Sequence, residues 1–103
     1  MSEDISLINF SPDQTKLVIA AEYNSPGCHE YWFIVIDLIT NQSSWFKQEK
    51  RIKYAAFADN STILFILQDG AVSFQELTAE NLENNRVTNI RKFNVIEKAD
   101  DCD

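Results

Sequence analysis

Residues 10–20, Phe-Ser-Pro-Asp-Gln-Thr-Lys-Leu-Val-Ile-Ala, decide the fold, because they place a turn-forming cluster directly before an apolar run. Pro, Asp, Gln and Ser cap or bend their own backbone, whereas the run that follows suits a β-strand. The pattern returns 47 positions later. Constant spacing indicates a repeated unit, so we predict two related groups of strands. The matching residues are Ile5, Phe10, Thr15, Leu17 and Ile19 with Ile52, Phe57, Thr62, Leu64 and Ile66.

Short runs rich in β-branched and aromatic residues continue on both sides of this stretch. The connections between them are short enough for antiparallel neighbours. The sequence therefore predicts an all-β fold of about eight antiparallel strands in two four-stranded meanders, forming a half-propeller or a β-sandwich. The predicted strands are residues 5–10, 17–23, 31–37, 43–47, 52–58, 63–68, 71–77 and 87–97.

Two segments depart from simple alternation of apolar and polar residues. Residues 32–36, Trp-Phe-Ile-Val-Ile, have no polar member, which predicts a central strand buried on both faces. Residues 78–85 have a helical composition, and Thr78 could cap a single helical turn. Because this segment contains three Asn, we interpret it as a loop.

A family resemblance covers about residues 5–77. Phe10-Ser11-Pro12-Asp13, then Leu17-Val18-Ile19-Ala20, then Phe33-Ile34-Val35-Ile36-Asp37-Leu38 followed by Thr40-Asn41 resemble one blade of a WD-repeat β-propeller. The Gly-His dipeptide and the closing Trp-Asp of a full WD repeat are absent from this sequence. The resemblance implies blade-like units at about 5–47 and 52–97 in a single domain, 1–103, with an acidic tail at 98–103. Two blades cannot close a ring, because propellers typically need four or more.

The composition favours a protein partner. Sixteen Asp and Glu against nine Lys and Arg give the 103 residues a net charge of -7, which repels nucleic-acid phosphates and anionic membranes. We therefore expect a basic protein partner, no nucleic acid and no membrane. An acidic amino terminus and the lack of an apolar run of about 20 residues predict a cytoplasmic protein. In a reducing cytosol, Cys28 and Cys102 are expected to remain thiols.

The sequence contains no recognisable catalytic or cofactor motif. His29 is the only histidine, and it lies on the opposite face of an extended chain from Cys28 and Glu30, which disfavours a catalytic dyad or a metal site. Glycine-rich phosphate loops and Cys-x-x-Cys pairs are absent from the sequence. We expect a protein that is not an enzyme and has no cofactor or metal. Basic and aromatic residues at 45–54 also suit single-stranded nucleic acid, but the overall acidity favours a solvated hairpin.

Charge is expected to concentrate at one end of the strands. Successive turns of a meander lie at alternate ends of the strands. One end, which we call the rim, is therefore expected to carry residues 3–4, 22–30, Asp69 and 97–103 together with the basic turn 47–53. Apart from that turn, this rim has nine carboxylates against Lys98. An acidic surface suits a basic protein, because complementary fields speed encounter and orient the partners. The predicted partner-binding residues are Glu22, Tyr23, His29, Glu30 and Asp69.

In size, acidity and β-rich composition, the chain is similar to immunity proteins of contact-dependent growth inhibition toxin systems. This resemblance implies a monomeric cytoplasmic inhibitor that forms a heterodimer with a basic nuclease toxin domain and blocks its active site. The alternative is a non-catalytic scaffold or assembly subunit, in which two propeller-like blades complete a larger assembly with another chain. A third interpretation, an enzyme that uses His29, is the least favoured, because most active sites need several placed groups.

Overall fold

The computed structural model describes residues 2–87, and it confirms an all-β fold of eight antiparallel strands with one short helix. Among these residues, no helix is long and apolar enough to cross a membrane. The elements are β1 (Ser2–Phe10), β2 (Lys16–Ser25), β3 (Cys28–Asp37), β4 (Gln42–Gln48), β5 (Ile52–Asp59), β6 (Thr62–Leu67), β7 (Val72–Glu76), α1 (Ala79–Asn84) and β8 (Arg86–Val87).

The strands divide into a five-stranded first sheet, in the order β1-β2-β3-β4-β8, and a three-stranded second sheet, in the order β5-β6-β7. The division differs from two meanders of four, because β8 pairs with β4 instead of β7. Of the predicted strand at 87–97, only Val87 lies within the described residues, and the predicted tail at 98–103 lies outside them.

The segment after β7 is a helix, so its interpretation as a loop is wrong. The Thr78 side chain accepts a hydrogen bond of 3.0 Å from the backbone N–H of Asn81, which satisfies a free donor in the first helical turn. The helix leads the chain back to the first sheet, where the Ser44 hydroxyl donates to the Leu82 carbonyl at 2.8 Å. Local capping therefore outweighs the poor helix propensity of the Asn residues.

The core lies between the inner faces of the two sheets. Phe33 on β3 is fully buried, with its ring centroid 4.9 Å from that of Phe46 and 5.1 Å from that of Phe65 on the second sheet. Consecutive burial of Phe33, Ile34 and Val35 confirms that β3 is a central strand buried on both faces. Because the side chains of adjacent residues alternate, this burial also means that Ile34 lies on the outward face of the first sheet.

The two repeated turns meet at one end of the sheets. The backbone N–H of Asp13, in the β1–β2 turn, donates a 3.0 Å hydrogen bond to the side-chain oxygen of Asn60, 47 positions away in the β5–β6 turn. The Asp13 carboxylate accepts from the Thr15 backbone and from the hydroxyls of Ser11 and Thr15. These bonds, led by the Thr15 backbone N–H, lower the pKa of Asp13 to about 2.

The expectation of thiols is wrong for Cys28, which is disulfide-bonded. Cys28 begins β3 and is buried, so its sulfur is shielded from solvent. Cys102 lies outside the described residues.

Candidate protein-binding surfaces

The β2–β3 hairpin and the β6–β7 turn hold the predicted partner-binding residues. Register places Tyr23 opposite Glu30 near the end of the hairpin, and Glu22 lies next to Tyr23 on β2. His29 is exposed, and its ring is hydrogen-bonded to the side-chain oxygen of Asn24. Tyr23 and Glu30 are only 4% and 5% exposed, which leaves them little surface for a partner.

Glu22 is held by a basic residue of the turn between β4 and β5. The Arg51 guanidinium donates two hydrogen bonds to the Glu22 carboxylate, at 2.8 and 2.9 Å, and lies 6.0 Å from the centroid of the Tyr31 ring. Two parallel bonds of this kind fix geometry as well as charge. The hydrogen bond from Arg51 is the main reason that the pKa of Glu22 is lowered.

Asp69 forms a second charge pair with the same turn. Lys50 Nζ lies 2.6 Å from the Asp69 carboxylate, which also accepts a 3.0 Å bond from the Ala71 backbone N–H. The hydrogen bond from Lys50, reinforced by the bond from Ala71, lowers the pKa of Asp69, and the reciprocal interaction raises the pKa of Lys50. Both side chains are about half exposed, so water weakens this pair.

Glu30, like Glu22 and Asp69, has a basic neighbour, which is Lys47. Lys47 Nζ lies 3.8 Å from its carboxylate, and the Trp32 indole N–H donates to it at 3.3 Å. The same ammonium lies 5.7 Å from the centroid of the Trp32 ring, within the range of a cation–π contact. Glu30 is therefore part of a packed group on the first sheet.

The rim has mixed charge in the described structure. The basic turn that the charge assignment set aside supplies a cation to Glu22, Glu30 and Asp69. Beside these pairs lies an open cleft of about 340 Å³, lined by Tyr31, Glu49, Lys50, Arg51, Gln68 and Asp69. The signal for this arrangement was present in the sequence, since turn 47–53 was already assigned to this rim.

The interactions that the structure describes at the rim are ion pairs, cation–π contacts and hydrogen bonds. Within residues 2–87, no group of three or more His, Cys, Asp and Glu is arranged to hold a metal ion. His29, the candidate base, bonds to an amide oxygen of Asn24. That contact orients the ring and places an amide at the imidazole, where a catalytic dyad would place a carboxylate.

A second surface, which the sequence interpretation missed, covers the outward side of the second sheet. Two cross-strand rows form it: Tyr54, Ile66 and Val72, and then Ala56, Leu64 and Phe74. Tyr54, Val72 and Phe74 are 42%, 57% and 65% exposed. We call this surface the Phe74 face. Its sequence signal was the continuous apolar run of β6, which is typical of a strand covered on both sides.

The outward side of the first sheet also carries an apolar surface. Its rows are Ile8, Ile19 and Ile34, and then Phe10, Leu17 and Ile36. Ile8 and Phe10 are 54% and 58% exposed, Ile34 is buried, and the others are half-buried. We call this surface the Phe10 face. Contiguous apolar surface beyond a few hundred Å² is uncommon on monomeric proteins and typically marks an interaction site.

Comparisons with known proteins identify no relative of this chain, so its function is inferred from the surfaces described above. No family model, no curated protein and no solved structure matches this chain.

Proposed function

We propose that the chain is a non-catalytic assembly subunit whose Phe74 face packs against an apolar β-sheet of a partner chain. The observation that carries this proposal is the exposure of Tyr54, Val72 and Phe74 on one side of the second sheet, where Glu76 lies in the next cross-strand row, at the edge of the Phe74 face. Fully burying a Val or Phe side chain stabilises a structure by about 1.5–3 kcal/mol. Leaving these side chains in water forfeits that stabilisation until a partner covers them.

The packing of the two sheets inside the molecule indicates which kind of surface fits the Phe74 face. On the inner side of the same sheet, Phe65 packs against Phe33 of the first sheet at 5.1 Å between ring centroids. Sheets that pack face to face interdigitate side chains at a spacing of about 10 Å. A second apolar sheet is therefore the partner surface whose shape and chemistry fit the Phe74 face.

The proposal is tested by the native size of the protein in extracts of its own cells. We expect the wild-type chain to elute in gel filtration well above an 11.9 kDa monomer. Phe74→Glu, which places a charge on the face, should shift it to the monomer position. Ile39→Glu is the matched control, because Ile39 is 78% exposed in the turn after β3, outside both faces. A wild-type monomer, or equal behaviour of the two variants, contradicts the proposal.

A second candidate function is the immunity protein that binds and neutralises a basic nuclease toxin domain. The observation in its favour is the net charge of -7, with carboxylates beside the rim cleft. Glu22 and Asp69 already have basic neighbours within the chain, so a toxin surface would have to exchange with Arg51 and Lys50. Such exchange is favourable only if the new pairs are better desolvated than the old ones.

Co-expression with the nuclease domain of a toxin encoded next to the chain's own gene tests this candidate. Rescue of growth, lost on combined charge reversal at Glu22 and Asp69 and retained in Phe74→Glu, would support it. Binding through the rim should weaken steeply with salt. Rescue that survives the charge reversals would contradict a role for these carboxylates.

A further inference from the structure

We infer that residues 88–102, which lie outside the described part of the chain, cross the outward side of the first sheet and are held there by a disulfide between Cys28 and Cys102. We call this segment the strap. Cys28 is disulfide-bonded, and Cys102 is the other cysteine of the sequence. The strap lies on the first sheet, so it is independent of the assembly proposed for the Phe74 face.

Alternation along the strands identifies the residues beneath the strap. Phe33 on β3 points into the core, so every second residue counted from its neighbour Ile34 points outward. The register extends this outward side to β2 and β4. The outward-pointing residues of these three strands include Tyr23, Cys28, Glu30, Ile34 and Trp45.

These five residues are as buried as the core. Their exposed fractions are 4%, 6%, 5%, 8% and 9%, in the same order. The second sheet and α1 pack on the opposite, inner side of the first sheet, where Leu82 joins the core. On the outward side, Ile8 and Phe10 of β1 are 54% and 58% exposed. A covering layer is therefore needed over β2, β3 and β4, and the strands and helix of residues 2–87 do not supply it.

The chain leaves the described structure on the same side of the sheet. Val87 pairs with Ser43, which pairs with Ile36, so Val87 lies in an outward row at the end of β3 opposite to Cys28. Cys28 is eight residues from Ile36 along β3, or about 27 Å, and β8 is two strands away, or about 10 Å. The strap must therefore span about 28 Å.

The length of the strap suits this span. Fifteen residues separate Val87 from Cys102, and an extended chain of that length reaches at most about 50 Å. About nine residues are enough to cross the sheet, which leaves about six to reverse the chain direction after β8. A disulfide to Cys28 is thus within reach without any change in the sheets.

The order of residues in the strap matches the surface beneath it. Its apolar part, which includes Phe93, Val95 and Ile96, comes first and would lie over Ile34 and Trp45. Its acidic part, 100–101, comes next to Cys102 and would lie at the rim, beside the basic turn 47–53. Apolar and charged portions of the strap therefore meet surfaces of complementary character.

The tether forms by thiol–disulfide exchange. The two thiols together lose two protons and two electrons, and a small-molecule disulfide accepts them and is reduced to two thiols. The sulfur of Cys28 is shielded once the strap is in place, because this residue is only 6% exposed. Strong thiol reductants reverse the exchange and free the strap from its tether.

Peptide mapping of the full chain tests the tether. The purified protein is equilibrated with oxidised glutathione, its remaining thiols are alkylated, and it is digested without reductant. Trypsin cleaves after Lys16, Lys47 and Lys98, so we expect peptides 17–47 and 99–103 to remain linked until a reductant separates them. The intact protein should be a monomer lighter by two hydrogen atoms than the reduced chain. Alkylated cysteines at both positions, or a bond between two chains, would overturn the inference.

Acrylamide quenching of tryptophan fluorescence tests the position of the strap, because Trp32 and Trp45 both lie on the outward side. Phe93→Glu should raise the quenching constant, whereas Asn94→Glu, which adds the same charge at a polar position, should leave it at the wild-type value. Phe93→Ala adds no charge and should give a smaller rise, so it replaces Phe93→Glu if that variant loses the native circular dichroism spectrum. Quenching that is the same in the folded Phe93 variant and the wild type would contradict the proposed path.

Urea unfolding of the wild-type chain supplies an independent measurement. The disulfide closes a loop of about 75 residues, so reduction should lower the midpoint by about 2 M. Cys102→Ser should unfold at the reduced midpoint with or without reductant. Equal midpoints for the oxidised and reduced wild type would also overturn the inference. None of these outcomes affects the gel-filtration test of Phe74→Glu, so the strap and the assembly function can fail separately.

Discussion

Truncating Phe33 to Ala should be among the most destabilising single changes in this protein. Its side chain is fully buried between the sheets, where its ring stacks on Phe46 at 4.9 Å and packs on Phe65 at 5.1 Å. Phe-to-Ala changes in cores cost about 3–5 kcal/mol. Each aromatic pair adds about 0.5–1.5 kcal/mol beyond simple burial, which places this site at the upper end, near 4–5 kcal/mol.

Urea unfolding measures this loss. A small domain has a total stability of about 5–15 kcal/mol, so the variant should remain at least partly folded in water. With a slope of about 2 kcal/mol per molar urea, the midpoint should fall by about 2 M. Ile39→Ala serves as the control, since an exposed site should change stability by less than about 0.5 kcal/mol.

The same experiment tests whether the two sheets unfold together. Both tryptophans, Trp32 and Trp45, lie in the first sheet, so fluorescence follows that sheet, whereas circular dichroism follows both. Because Phe33 joins the sheets, the two signals should change at one urea concentration in the wild type. A loss below about 1.5 kcal/mol, far under the usual cost of a buried Phe, would refute the packing argument. Separate transitions for the two signals would refute the shared core.

Three further predictions concern charges and caps. The pKa values of Asp13, Glu22 and Asp69 are lowered in the folded state. The stabilisation by these carboxylates should therefore be present above about pH 5 and be lost as acid protonates them toward pH 2. Urea midpoints that stay constant over this pH range would contradict this prediction. Thr78→Ala should cost about 1 kcal/mol by removing the cap of α1, whereas Thr78→Ser should cost little; equal losses would argue against capping. Arg51→Met should raise the pKa of Glu22 in an NMR titration, because the hydrogen bond from Arg51 is the main cause of its lowering. An unmoved pKa of Glu22 would show that the pair does not form in solution.

The strands were readily predicted, because their signals are local. The turn beginning at Ser11 and the run ending at Ala20 act within a few residues of one another, and β2 follows them as expected. The absence of polar residues in 32–36 likewise predicted a strand covered on both faces. The helix was missed because the decisive bond from Asn81 to Thr78 outweighs the composition of the segment.

The binding surfaces were harder to predict. The sequence placed Glu22 and the basic turn 47–53 on one rim, but the pairing of Glu22 with Arg51, 29 positions apart, depends on how the β4–β5 turn folds over β2. The Phe74 face could not be predicted from β7 because apolar and polar residues alternate along this strand. Such alternation shows that one side of the strand is apolar, but not whether that side faces the core or the solvent. Which side faces the core depends on the sheet that packs against it.

By itself, the sequence determined that the chain forms antiparallel strands and where they turn, because these follow from backbone preferences over a few residues. Only the tertiary structure decided that β8 joins the first sheet and that Phe10 points outward while Phe57 points inward. A strand has two faces and two edges that are equivalent until a neighbour covers one. That choice is made by packing between distant segments, and here it leaves apolar rows on the outward side of each sheet.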